Sequence, residues 1–198
     1  MKKYNIIYAD PPWKYKDSAN AGKRGAKHHY NVMSMDEIKS LNVGAIAADN
    51  CALFLWVTFP FLQEGFDLIK AWGFKYKTCA FTWVKTNKKA GTFFMGMGNW
   101  TRSNPELCLL GIKGKPKRVN SSVRNLIVAP MIGHSVKPKN TKTRIVKLMG
   151  DLPRVELFAR EKTLGWDVWG DEVDPDLMLM YEVDNTKMTF SSPHLILK

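Results

Sequence analysis

The residues best equipped for chemistry are Asp10-Pro11-Pro12-Trp13, which close the apolar run Tyr4-Asn5-Ile6-Ile7-Tyr8-Ala9. Proline has no N–H to give to a strand ladder and holds the residue before it extended, so the run predicts a buried strand that stops at Asp10. A carboxylate, a rigid turn and an indole then sit at the carboxyl end of a strand, where open α/β sheets bind ligands. Those groups suit methyl transfer to an exocyclic amine of a nucleobase. The lone pair of such an amine is delocalised into its ring. An acceptor such as Asp10, with the carbonyl of Pro11 beside it, can hold both N–H bonds and favour a pyramidal nitrogen whose lone pair faces the methyl donor. Trp13 offers a surface on which an extruded base could stack.

The elements that must position these groups follow from the pattern of the chain. Strands are expected at 4–9, 51–58, 79–85, 106–112, 126–129, 154–158 and 166–169. Ser34-Met35-Asp36-Glu37 reads as a capping box that opens a helix to about Ala48. Phe61 to Trp72 has helical spacing and stops at Gly73, and Thr141 to Met149 forms a third helix ended by Gly150. Alternating strands and helices predict an α/β fold, a mostly parallel sheet covered on both faces. Lys14 to His29 and Thr86 to Asn104 fit neither element and each follow a strand end, so both are expected to wall the site. Gly96-Met97-Gly98 lacks the third glycine and the following helix of a dinucleotide fingerprint.

Composition narrows the partners. The chain has 198 residues, the length of one domain, and a net charge of +12, which suggests a polyanionic partner. Its cations cluster at Lys113-Gly114-Lys115-Pro116-Lys117-Arg118 and between Lys137 and Lys147. Cys51, Cys79 and Cys108 lie in strand-like runs and read as reduced core thiols. The four histidines have no ligand spacing, which argues against a metal site. With no signal peptide and no spanning apolar run, a cytoplasmic protein without a membrane partner is expected.

A longer series of segments then acquires meaning. Asp10-Pro11-Pro12-Trp13 is followed in order by Tyr30-Asn31-Val32-Met33-Ser34, Leu53-Phe54-Leu55-Trp56-Val57-Thr58, Ala71-Trp72-Gly73-Phe74 and Trp83-Val84-Lys85-Thr86. Gly96-Met97-Gly98-Asn99-Trp100-Thr101-Arg102, Gly111-Ile112-Lys113-Gly114, His134-Ser135-Val136-Lys137-Pro138, Val155-Glu156-Leu157-Phe158-Ala159-Arg160 and Gly165-Trp166-Asp167-Val168-Trp169-Gly170 complete it. Together, over residues 4–173, they resemble the S-adenosylmethionine-dependent adenine methyltransferases typified by the catalytic subunit of the mRNA adenosine methyltransferase, and most of all the compact bacterial and phage members.

The resemblance implies a Rossmann-like three-layer methyltransferase sheet with permuted motif order, the catalytic strand preceding the cofactor strand. It implies S-adenosylmethionine as cofactor, with Asp10, Pro11, Pro12 and Trp13 catalytic. Asp10, Lys137, Glu156, Phe158, Arg160, Asp171 and Glu172 would bind the cofactor, Lys137 at its carboxylate and Arg160 near its ribose. Asp171-Glu172 replaces the family's common Asn-Gln or Asn-Glu, and carboxylates still accept bonds from ribose hydroxyls. Trp13, Tyr30, Trp100, Lys115, Lys117 and Arg118 are the expected contacts to nucleic acid. Residues 174–198 lie outside the resemblance and form a tail without an assigned role. The expected activity is methylation of adenine N6 in DNA; an RNA adenine methyltransferase and a silent nucleic-acid-binding subunit are the alternatives. Intact acceptor and cofactor groups together argue against a silent subunit.

Overall fold

A computed structural model describes residues 2–13, 33–98, 100–133, 136–183 and 187–191. Seven strands form one sheet: β1 (Tyr4–Ala9), β2 (Ala47–Val57), β3 (Lys75–Thr86), β4 (Glu106–Lys113), β5 (Leu126–Pro130), β6 (Arg154–Leu157) and β7 (Asp167–Trp169). Their spatial order is β5-β3-β4-β2-β1-β6-β7, with β4 antiparallel to both of its neighbours and the remaining pairs parallel. All seven expected strands are present. Among the described residues three α-helices, α1 (Met35–Ser40), α2 (Leu62–Ala71) and α3 (Asn140–Met149), join them.

Alternation along the strands builds two cores, one on each face. Ile7, Leu53, Leu55 and Val57 bury on one side against Ile38 of α1, Leu68 and Ile69 of α2, and Trp72 just beyond it. Ile6, Tyr8, Phe54 and Trp56 bury on the other against Ile145 and Met149 of α3. A side-chain period of two makes this three-layer packing the only way to cover strands apolar at nearly every position.

Helix α1 is shorter than expected. Its capping box forms, with the Ser34 side chain accepting from the Glu37 amide and Glu37 accepting from the Ser34 amide at 2.6 Å. The helix stops at Ser40, because Asn42 turns its side chain onto the Ala45 amide at 3.0 Å and starts a 3₁₀ turn over Val43–Ala45. An Asn side chain competes with the helical ladder for backbone groups in this way. Strand β2 therefore begins at Ala47, four residues before the expected start.

Beyond residue 173 the chain forms an antiparallel hairpin, β8 (Leu179–Val183) and β9 (Lys187–Ser191). Leu179 is fully buried in the core beneath α1, and Tyr181 bridges to Leu41. No helix among the described residues is long and apolar enough to cross a membrane.

Candidate active site

The ends of the strands decide what can meet. The carboxyl ends of β1, β2, β3, β5, β6 and β7 share one edge of the sheet, and β4, running the other way, brings its first residue, Glu106, to that same edge. From β1 the chain crosses to β2 on one side, whereas β6 pairs with β1 on the other. Such a switch leaves a crevice above β1 and β6, and Asp10 and Phe158 are the residues that follow these strands.

Four charged side chains meet there. Lys137 Nζ lies 2.7 Å from Asp10 Oδ2 and 3.3 Å from Glu106 Oε2, and Lys85 Nζ lies 2.7 Å from Glu106 Oε1. The two cations and two carboxylates balance. They rest on an indole floor, with Lys137 5.7 Å from the ring centre of Trp56 and Lys85 5.3 Å from that of Trp83. Trp56 in turn donates to the buried Tyr8 hydroxyl at 2.7 Å.

Burial over this apolar floor is the largest influence on Asp10 and pushes its carboxyl pKa up; Glu106 adds to the rise, while Lys137 and Arg160 oppose it. Glu106 goes the other way. Burial would raise it, but it faces two ammonium groups, and Lys137 and Lys85 together hold it below the usual range. Burial disfavours charge on Lys137, yet the carboxylates on either side raise its pKa, so it stays an ammonium.

The Asp10-Pro11-Pro12-Trp13 turn is fixed from within. The Trp13 amide donates to the Pro11 carbonyl at 2.9 Å, and the Met33 amide donates to the Pro12 carbonyl at 3.3 Å. Trp13 is 7% exposed, stacks on Phe61 at 5.5 Å and donates its indole N–H to the Trp56 carbonyl at 3.3 Å. Its faces are therefore occupied by the core, in contrast to the expected stacking surface for a base. It braces the turn that carries Asp10.

The expected cofactor residues gather at the same edge. Arg160 follows β6 and its Nε lies 3.4 Å from Glu172, which with Asp171 follows β7. Phe158 has a left-handed backbone, φ 61°, alone among the described non-glycine residues, and its ring meets Trp169 edge-on at 5.5 Å. That conformation disfavours most side chains, and functional edges are where such residues concentrate. Glu156 pairs with Lys142 of α3, itself bound to Thr163 at 2.7 Å, and couples electrostatically to Asp10. Burial raises the Glu156 pKa and Lys142 opposes it. The chemistry of this donor set fits S-adenosylmethionine: cations would suit its carboxylate, and carboxylates such as Asp171 and Glu172 would suit a ribose diol.

The remaining expected residues separate. Trp100 lies in the connection from β3 to β4, whose two ends are at this edge, and is 99% exposed. Lys115, Lys117 and Arg118 follow β4, whose last residue, Lys113, pairs with Cys51, six residues back along β2 from Val57. The spacing puts them about 20 Å from the Asp10 edge, at the far end of the sheet, so the structure does not bring them to the site. Tyr30, His134, Ser135 and the segment Lys14 to His29 lie outside the described residues. Sequence reasoning missed Lys85 and Lys142. The signal for Lys85 was a lysine closing the apolar run Phe81-Thr82-Trp83-Val84, where a buried cation calls for a carboxylate opposite. Among the described residues no His, Cys, Asp and Glu cluster could hold a metal ion.

Comparison with known proteins agrees with this geometry. Residues 4–172 match the MT-A70 family. A type II methyltransferase, M.MunI, from Mycoplasma sp is 36% identical over 193 residues, covering 88% of this chain and 79% of that protein. The N(6)-adenosine-methyltransferase MT-A70-like protein of Drosophila melanogaster is 31% identical over 92% of this chain and 30% of its own length. The human N(6)-adenosine-methyltransferase catalytic subunit METTL3 is 30% identical over 88% of this chain and 29% of its own length. The sheet order, the charged cluster behind Asp10-Pro11-Pro12-Trp13 and these matches converge: the chain belongs to the MT-A70 family of S-adenosylmethionine-dependent adenine-N6 methyltransferases.

Proposed function

We propose that this chain methylates adenine N6 in DNA, with Asp10 as the group that orients the target amine. The chemistry is carried by one observation, the placement of Asp10 at the end of β1 with its Oδ2 held 2.7 Å from Lys137. The other oxygen, Oδ1, then accepts an N–H bond from the amine, and the Pro11 carbonyl, which has a second lone pair, accepts the other. The bound cofactor supplies an electrophilic methyl group. Asp10 and the Pro11 carbonyl would keep the amine nitrogen facing that group, and methylation would leave the nitrogen with one proton too many. Asp10 is suited to take that proton, because burial already raises its pKa, and its side chain is 24% exposed, open enough to pass the proton to water. Lys137, Arg160, Asp171 and Glu172 hold the cofactor.

DNA is favoured over RNA by the extent of the matches. The relatives named for adenosine, a ribonucleoside, align over about 30% of their own length, whereas the type II methyltransferase aligns over 79% of its length. Incubation with methyl-labelled S-adenosylmethionine and duplex DNA, single-stranded DNA or RNA, followed by digestion, identifies the product. N6-methyldeoxyadenosine is expected; label found only in N6-methyladenosine from RNA would overturn the DNA reading.

A net charge of +12 makes affinity for either polymer fall steeply with salt. The position of the far-end cations allows a sharper expectation. Replacing Lys115, Lys117 and Arg118 with alanine should change the slope of log affinity against log salt by less than about one, since each lost phosphate contact shifts it by about one. A drop near three would show that bound DNA reaches around the sheet.

A further inference from the structure

We propose that the connection between β3 and β4 is an unstacking wedge, in which Phe93, Met95, Met97 and Trp100 enter the nucleic acid beside the target adenine and hold its stack open. The inference rests on the proposed function, in which the adenine lies within a polymer. Such a base must leave its helix to reach Asp10, at a cost of a few kcal/mol.

The exposure of this segment is out of keeping with its composition. Phe93 is 70% exposed, Met95 72%, Met97 88% and Trp100 99%. Single exposed apolar residues are ordinary, but four within eight positions mark a contact surface. The segment is also built. The Phe94 amide donates to the Lys85 carbonyl at 2.9 Å and the Gly96 amide to the Ser103 carbonyl at 2.7 Å. Asn104 ties both ends, accepting from the Lys85 amide at 2.8 Å and donating to the carbonyls of Lys85 and Phe94. At Gly96 and Gly98 a Cβ would fall 2.6 Å from the Ser103 carbonyl oxygen and 1.9 Å from that of Thr101, so the returning chain packs where only glycine leaves room. Residues 93, 95 and 97 are exposed while 94, 96 and 98 are half-buried, the alternation of an extended strand, which turns Phe93, Met95 and Met97 to one side. That ridge is about 13 Å long, close to the height of four stacked bases.

Place and charge identify the occupant. The segment leaves β3 just after Lys85 and enters β4 at Glu106, and these two residues join Lys137 and Asp10 through the ion pairs of the site. Between them the sequence carries Lys88, Lys89 and Arg102 and no acidic residue. An apolar ridge flanked only by cations suits stacked bases flanked by phosphates, and phenylalanine and methionine are among the side chains that wedge base steps apart. A second copy of a chain with net charge +12 is a poorer match.

Photocrosslinking to a mixed-sequence duplex containing 5-bromodeoxyuridine, mapped by mass spectrometry, tests the contact without requiring turnover. Crosslinks are expected within residues 93–100. In parallel, Trp100→Ala should lower transfer to a fully paired duplex by about ten- to a hundredfold, the usual cost of a lost base stack. The loss should be under about threefold when cytosine faces the adenines, because the mismatch opens the stack, and Trp100→Phe should stay near wild type. Crosslinks confined to other segments, or an equal loss on paired and mismatched duplexes, would overturn the wedge. So would a wild-type dimer that Trp100→Ala converts to monomer without changing DNA crosslinking, since the ridge would then serve a second copy. Failure of the DNA reading looks different: crosslinks stay on the ridge while the methylated product is not N6-methyldeoxyadenosine.

Discussion

Asp10→Ala is expected to lower the single-turnover rate of methyl transfer by about 10²–10³, with the fold intact and S-adenosylmethionine affinity changed far less. The size follows from the role proposed for Asp10, the acceptor that makes a conjugated amine a nucleophile; water in its place would not be held in position. The fold should tolerate the change because Lys137 keeps a second carboxylate, Glu106, at 3.3 Å. Asp10→Asn separates two contributions. An asparagine oxygen can still accept an N–H bond but cannot take up the proton that the methylated amine sheds, so Asn should recover only part of the Ala defect. A soluble Asp10→Ala enzyme with near wild-type turnover would remove Asp10 from the chemistry. The same role fixes a pH dependence. Ionised Asp10 is the active form and its pKa is raised by burial, so the rate should fall with acid at a pH above the usual carboxylate range. Lys137, Glu106 and Arg160 act on it, and Glu156 couples to it, so a variant that changes any of them should move that limb.

Much of this site was legible because its parts lie at strand ends, and strand ends are written in local chemistry. The apolar run before Asp10 and the two prolines after it place the carboxylate at an edge, whatever the rest of the chain does. Trp13 shows where such reading stops. Its type suited stacking on a base equally well as stacking on Phe61, and the choice depends on the turn that opens α2 approaching from 48 residues away. Lys115, Lys117 and Arg118 show the same limit for direction. A basic run following a strand would face the site if β4 were parallel, and it faces the opposite end because β4 is the one antiparallel strand in the sheet. Alternation of residue types reveals that a strand exists but not which way it runs. The charge cluster was half visible for a related reason. Asp10 and Lys137 were expected at one site, whereas the sharing of Glu106 by Lys85 and Lys137 required β3, β4 and the chain after β5 to meet.

That sharing leads to the second large effect. Lys137→Met is expected to lower activity at neutral pH at least as much as it weakens cofactor binding, because it leaves Asp10 and Glu106 with Lys85 as the cation remaining in the cluster. Lys85 contacts Glu106 at 2.7 Å, so the deficit falls on Asp10. A carboxylate over an indole floor that loses its ammonium partner lowers its energy by taking up a proton, and the Asp10 pKa should climb further. Removing one member of a buried pair costs about 3 kcal/mol or more, a loss that should appear in thermal melting as well as in rate. The acid limb of the pH–rate profile should shift upward in Lys137→Met, and raising the pH should restore part of the activity. Adding Glu106→Gln removes the second negative charge and should move the limb back down, a compensation that a purely cofactor-binding lysine would not produce. If Lys137→Met instead weakened S-adenosylmethionine binding by calorimetry and left the acid limb where it was, Lys137 would act on the cofactor carboxylate alone. The pairing with Asp10 seen at 2.7 Å would then have no part in setting the charge of the catalytic carboxylate.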